Sequence, residues 1–310
     1  MNSLKQQFLD IFNTIDFHKI IDHPNILVAA RFWENERYEA AKTCYKFMRN
    51  IDDLIDNYKA ENKIIAPDER KFFTRDVNAW IGIIRDTARN NPVQKELTDT
   101  IEHFRIPSWP LEAFARSMLY DINNDGFATI DDFIEYSQGA SVAPASIFVH
   151  LNSISKKEDG YTDPPFDVRD TATPCALFSY LVHIIRDFQK DQLNNLNYFA
   201  DDLILKNNLT RSDLLNFAHG APVNDNFRNL IRTYYSLADK YREQTQNKIQ
   251  EIRPLLEPRY QLSLEIIFSL YLMVFERIDI INGRFTTMEL NPSPDETRER
   301  VYKTILDFTS

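Results

Sequence analysis

The chain has 310 residues, 43% hydrophobic and 26% charged, a balance that suits a folded protein with a sizeable core and excludes a disordered or fibrous one. A formal charge of −10 with no cluster of five or more Lys/Arg leaves no electrostatic footprint for nucleic acid. Only 6 glycines occur and neither GxGxxG nor a P-loop signature is present, which argues for helices and against Rossmann or P-loop nucleotide sites.

Leu4, Phe8, Ile11, Phe12 and Ile15 recur at three- to four-residue spacing and predict an amphipathic first helix. The N-terminal stretch has no unbroken apolar run of the kind a secretory signal needs, and a cytoplasmic location is expected. A second helical region is predicted from about Ile26 to Ala60, broken near Glu34–Glu36. Further helical patterns cover Arg70–Arg89, Val93–Phe104, Leu111–Tyr120, Ile130–Ser137 and Pro144–Asn152. Then come Val168–Gln192, Ser212–His219, Asp225–Ile252, Pro258–Ile281 and Pro294–Asp307. No stretch alternates with a period of two, so the expected class is all-α. The longest uncharged apolar run, Ile266–Phe275, is far short of the ~20 residues of a membrane span and reads as a core helix. Cys44 and Cys175 lie in apolar surroundings and read as buried free thiols of a reducing compartment.

The polar segment Ser153–Phe166, with one glycine and two prolines, has two readings: a domain boundary, or a loop near the active site within one domain. The second is preferred, giving a single domain over 1–310, because acidic clusters fall on both sides of it. In the first cluster Asp52 and Asp56 stand four apart inside a helix whose apolar positions are Tyr45, Met48, Ile51 and Ile55, so both carboxylates project from one face. Like charges at that spacing repel, and something cationic should neutralise them. Mg²⁺ suits the position because it takes one or two carboxylates and completes its shell with water and substrate phosphate. Alone, the pair reads more simply as a solvated acidic face.

A second cluster, Asp187 and Asp191, repeats the spacing, with Arg186 just before it as Arg49 precedes the first. Two such pairs on two helices can clamp a metal-bound diphosphate from opposite sides of a bundle. The metal would neutralise the leaving group as its C–O bond ionises, and the two arginines can donate paired hydrogen bonds to it.

Tyr45-x-x-x-Arg49-x-x-Asp52-Asp53-x-x-Asp56 and Ile184-x-Arg186-Asp187-x-x-x-Asp191 resemble the two motifs of the squalene/phytoene synthases, head-to-head prenyltransferases with an all-helical isoprenoid synthase fold and a central cavity. Asp121, Thr129, Phe133, Tyr136 and Ser141-Val142-Ala143 are similar to the helices between those motifs, and Asn197–Leu203 matches more loosely the stretch after the second. The resemblance spans roughly residues 20–285. It implies Asp52, Asp56, Asp187 and Asp191 as ligands of two or three Mg²⁺ ions, and Arg49, Arg186 and Tyr180 as substrate-binding residues. It also implies Tyr45, Asp53, Asp121, Tyr136 and His183 as catalytic residues. The substrate it implies is a prenyl diphosphate, most simply farnesyl diphosphate joined to a second copy through a cyclopropyl-type product.

His183 and Tyr180 depart from the family pattern, which has asparagine and glutamine there. Asn25-Ile26 stand where a Ser-Phe pair is expected, and Ala143 replaces a glycine. His183 has two readings: a diphosphate donor or proton acceptor with a pKa near working pH, and a satisfied core histidine. Tyrosine ring faces can stabilise carbocations, yet with 14 Tyr and 22 Phe most rings must be core. These departures keep open a terpene cyclase, or a transferase with another acceptor. A non-catalytic scaffold relative is a third reading. A reduced product would require NADPH, for which no sequence feature speaks. An apolar product implies transient contact with a membrane surface, and nothing in the sequence sets an oligomeric state. Asp121–Asp132 also fits much of an EF-hand loop, although Ala128 and Asp132 stand where an aliphatic residue and a glutamate belong.

Overall fold

The computed structural model describes residues 3–19, 25–62, 65–85 and 92–309. Helices α1 (Ser3–Asn13), α2 (Asn25–Ala30), α3 (Asn35–Asn62), α4 (Pro67–Arg85), α5 (Pro92–His103) and α6 (Trp109–Asn123) come first. Helix α7 (Ile130–Ser137) continues through a π turn at Gln138–Val142 into α8 (Ala143–Ser153). A two-residue antiparallel hairpin, β1 (Lys156–Lys157) with β2 (Gly160–Tyr161), leads to α9 (Val168–Arg186). Then follow α10 (Phe188–Leu193), α11 (Asp201–Lys206), α12 (Arg211–Ala218), α13 (Asp225–Ile252), α14 (Pro258–Phe275), α15 (Thr287–Leu290) and α16 (Pro294–Asp307). The expected all-α class is what folds, and no helix among the described residues is long and apolar enough to cross a membrane.

Local chemistry starts these helices where the sequence says. Capping boxes open α7 (Thr129 with Asp132), α12 (Thr210 with Asp213) and α16 (Ser293 with Glu296), each satisfying two otherwise orphaned N–H groups. Pro144, Pro258 and Pro294 occupy first-turn positions, where a missing N–H costs little. Along α13 the buried residues Phe227, Leu230, Ile231, Tyr234 and Ala238 form a stripe that packs lengthwise on α9. There they join a core of aromatic rings from α9, α13 and α14, with Phe178 and Phe275 5.6 Å apart. Burying one such phenylalanine contributes roughly 2 kcal/mol. A second core gathers α1 to α6, α8, α14 and α16, and Tyr271 packs against both.

Two expectations shift. The run Val168–Gln192 is not one helix: Asp187 leaves helical geometry (φ −90°, ψ 1°) and divides α9 from α10. Aspartate disfavours helix interiors and suits helix ends, and Asp187 keeps the ladder connected, donating its N–H to His183 O and accepting from Asp191 N, each at 2.8 Å. The run Pro258–Ile281 ends at Phe275 because Asp279 accepts the N–H groups of Ile281 and Asn282, both at 2.9 Å, a side-chain turn that competes with helix. The segment Ser153–Phe166 is tied to the body: Tyr161 packs on Phe104, its hydroxyl donates to Glu36, and its carbonyl accepts from Arg105. Residues 86–89 of the predicted Arg70–Arg89 helix lie outside the described residues.

The π turn depends on Gly139. A Cβ there would lie 2.1 Å from Ser117 Oγ and 2.3 Å from Ala113 O, both on α6. Gly139→Ala is therefore expected to cost about 1–3 kcal/mol, read by chemical denaturation. Gly82→Ala, in α4 with nothing within 4 Å of the new methyl, should instead stabilise by about 0.5–1 kcal/mol. Equal effects of the two substitutions would contradict this account of α6 against the π turn.

Candidate active site

Helix α3 presents Tyr45, Arg49, Asp52, Asp56 and Lys59 at three- to four-residue spacing, hence on one face. Arg49 donates to Asp52 Oδ2 at 2.8 Å and also pairs with Asp53, which is more exposed and flanks that face. Tyr45 is half-buried, and burial raises its phenol. Burial and then the Asp56 charge push the Asp52 carboxyl up to about 7. Asp56 rises to about 6, through burial and then the charge of Asp121.

Asp121 comes from α6. Its carboxyl accepts the Tyr136 hydroxyl at 2.6 Å and lies 4.0 Å from Lys59 Nζ, yet burial outweighs both and lifts it to about 7. Lys59 is itself buried and donates to Asn124 O at 3.0 Å.

The opposite wall is the joint between α9 and α10. Arg186 grips Asp187 in a fork, Nε to Oδ1 at 2.8 Å and Nη2 to Oδ2 at 2.5 Å. Burial works against ionisation of Asp187, but the fork wins and holds its carboxyl below the usual range. Asp191 has no such partner. Burial, then Asp187, then Asp56 raise it well above the carboxylate range. That Asp56 on α3 raises Asp191 on α10 means the two pairs lie within one another's field, as their spacing predicted.

Between the walls stand stacked rings. Tyr180 lies parallel to Phe133 with centroids 5.3 Å apart, and sits 6.4 Å from Tyr136 and 6.2 Å from Tyr198. Charges of Asp121, Asp52 and Asp56 all reach Tyr180. His183 packs edge-on against Tyr271, 5.1 Å between centroids, and its buried Nε2 has no hydrogen-bond partner. Burial, then Arg186, push its imidazole down to about 3, so it stays neutral at working pH and lacks the near-neutral pKa of an ordinary histidine. Beyond Tyr271 a narrow apolar crevice runs between α8, α9, α13 and α14. Its α9 lining consists of Thr171, Ala172, Cys175, Ala176 and Ser179, small side chains that leave the space open.

The EF-hand-like loop is otherwise occupied. Asp121 serves Tyr136, Asp125 pairs with Arg211, and Asp132 caps α7. Among the described residues no three acidic, histidine or cysteine side chains converge closely enough to hold a metal unaided. Sequence reasoning did not single out Lys59 or Tyr271. Lys59 was detectable one turn beyond Asp56, whereas Tyr271 sits in an apolar run that reads as core.

An all-helical bundle of this kind has the isoprenoid synthase fold, and solved structures agree on it. Similar to this chain are a dehydrosqualene synthase in complex with ligand (15% identity, 96% of each chain covered, TM-score 0.68) and the squalene synthase HpnC from Alicyclobacillus acidocaldarius (13% identity, 84% of this chain and 90% of the other, TM-score 0.63). YisP from Bacillus subtilis is similar too (15% identity, 97% of this chain and 98% of the other, TM-score 0.60). No curated protein matches the sequence. The chain belongs to the squalene/phytoene synthase family, whose model matches residues 23–293, and is a prenyltransferase.

With folded-state values of about 7 for Asp52 and Asp121 against 3.8 unfolded, these groups stabilise the ion-free protein when protonated, and that contribution fades as pH rises toward 7. Asp121→Asn should flatten the fall in stability between about pH 5 and 7, where one such group contributes at most roughly 1.4 kcal/mol per pH unit. Denaturation midpoints in chelator across that range test this. Identical pH profiles for both proteins would contradict the burial of Asp121.

Proposed function

We propose that the chain is a Mg²⁺-dependent enzyme that joins two prenyl diphosphates head to head, with farnesyl diphosphate as substrate and a presqualene- or squalene-type C30 product, working as one helical domain. The observation that carries this reading is that four carboxylates, on Asp52, Asp56, Asp121 and Asp191, lie within one another's field beside one buried lysine and close to the rings of Tyr136 and Tyr180. So much uncompensated negative charge, all of it on oxygen donors, fits a hard divalent cation.

In this reading Asp52, Asp56, Asp187 and Asp191 hold the metal. When bound, it neutralises the diphosphate as the allylic C–O bond breaks and the electron pair leaves with oxygen. Arg49 and Arg186, the cations nearest the carboxylates, bind the phosphate oxygens. Tyr180, Tyr136 and Phe133 face the carbocation with their rings and keep water away. C1 of the cation then bonds across the 2,3 double bond of the second chain, and a proton leaves as the cyclopropane closes. Asp121, Tyr45 and Asp53 assist from the rim. Neutral His183 donates to or accepts from the diphosphate through its free Nε2. Burial of the apolar tails supplies the remaining binding energy, roughly 0.8 kcal/mol per methylene.

A second reading has one observation behind it. Tyr180 stands where the family has glutamine and fills space next to the carboxylates, which would suit ionisation of a single chain followed by cyclisation or transfer to a smaller acceptor.

Incubation with Mg²⁺ and farnesyl or geranylgeranyl diphosphate, with and without NADPH, separates the readings by product mass. A C30 or C40 product is expected, lost with chelator and reduced at least about 100-fold in Asp52→Ala and Asp187→Ala. Diphosphate release with only single-unit products favours the second reading. No release from any substrate sinks both.

A further inference from the structure

Thr171, Cys175 and Ser179 follow one another at intervals of four along α9 and line the apolar crevice, and His183 and Asp187 lie one and two turns further along the same helix. At 1.5 Å per residue the seventeen steps from Asp170 to Asp187 span roughly 25 Å. Tyr271 joins the two ends, lining the crevice while packing on His183. At the far end the lining changes character. Lys248 of α13 contributes its aliphatic stem to the crevice and sends its ammonium out to Asp170 Oδ2 at 3.0 Å and Glu251 Oε2 at 2.9 Å. Both carboxylates face solvent, 70% and 66% exposed, whereas the lysine is only 22% exposed, an apolar stem inside with a charged head outside.

We propose that the Lys248–Asp170 ion pair is the end stop of the prenyl pocket and fixes the longest hydrocarbon chain the site accepts. The proposal rests on the reading of the aspartate end as the diphosphate site. A chain entering with its diphosphate at Asp187 extends along the small side chains of α9, among which the Ser179 hydroxyl is satisfied, donating to Ala176 O at 2.9 Å. Thr245, toward the far end, is satisfied too, its hydroxyl donating to Tyr241 O at 2.7 Å. To pass Lys248, a longer tail would have to displace the lysine stem, pull the ammonium off both carboxylates and then emerge into the solvent beyond them, where its apolar surface is no longer buried. The pair crosses between α9 and α13, the helices that bound the crevice, so it is a small, movable closure on otherwise rigid walls.

The test is binding of two unreactive analogues, farnesyl and geranylgeranyl thiolodiphosphate, to the full chain with Mg²⁺ by titration calorimetry. Lys248→Ala shortens the stop, and affinity for the geranylgeranyl analogue relative to the farnesyl one should rise about tenfold or more. Asp170→Asn, which leaves the stem in place but loosens it, should shift the ratio in the same direction by a smaller factor. Ala176→Phe, which fills the middle of the pocket, should weaken both analogues. An unchanged ratio in both Lys248→Ala and Asp170→Asn overturns the end stop while leaving the diphosphate site standing. Failure of the unaltered protein to bind either analogue removes the site reading, and the end stop with it.

Discussion

Four largely buried carboxylates on three helices lie within one another's field, and the rest of the molecule is arranged to keep them there. Burial first, and the neighbouring carboxylates after it, drive Asp52, Asp121 and Asp191 above the ordinary carboxylate range. Nothing beside them offsets this fully: Lys59 is a single cation, and Arg49 and Arg186 are already engaged with Asp52, Asp53 and Asp187. Such an arrangement survives only because the helices carrying it are fixed by interactions elsewhere. Trp33 donates to Ser263, which donates to Ala29 O, binding α2 to α14, and buried Arg37 of α3 donates to Leu151 O of α8. These contacts, with the aromatic core under α9 and α13, supply the stability that the pocket gives up.

The same packing explains how a dense bundle keeps an apolar crevice. Helix α9 alternates its duties around its circumference: Leu177, Phe178, Leu181 and Ile185 fill the core, while the face of Thr171, Cys175 and Ser179 is too small to fill the space before it. Empty apolar space costs the fold cohesion, since lining atoms lose contact partners. A hydrocarbon occupant restores them, so the crevice and the carboxylate cluster are two deficits, one of contact and one of charge, that meet along α9.

Much of this was legible in the residue order. Hydrophobic periodicity and caps place the long helices within a few residues, because most stand on one apolar stripe each, and the two aspartate pairs announce themselves by their spacing and their leading arginines. What escaped was decided by distance in three dimensions. Asp187 looks like one more helical residue until the Arg186 fork and the bend it sits in are seen. Residues 171–179 read as ordinary core, since smallness signals a cavity only once the facing side chains are known. His183 carries an ordinary imidazole in sequence, and only its burial beside Arg186 makes it neutral and unpartnered. For the polar stretch 153–166 residue order left a linker and a loop within one domain both open and favoured the loop, and the packing of Tyr161 on Phe104 is visible only in three dimensions.

The π turn at Gln138–Val142 sets a rotational phase between two stretches that would otherwise form one rod. Upstream of it Tyr136 points its hydroxyl at Asp121, and just downstream Ser141 donates to Ala176 O on α9. An ordinary helix advances about 100° per residue, so removing one residue from the wide turn would rotate α7 by that angle relative to α8. Either Tyr136 would then swing away from the carboxylates or α8 would unseat itself from α9. The length of this short segment, rather than its side chains alone, thus governs whether the aromatic wall and the crevice can exist in the same bundle.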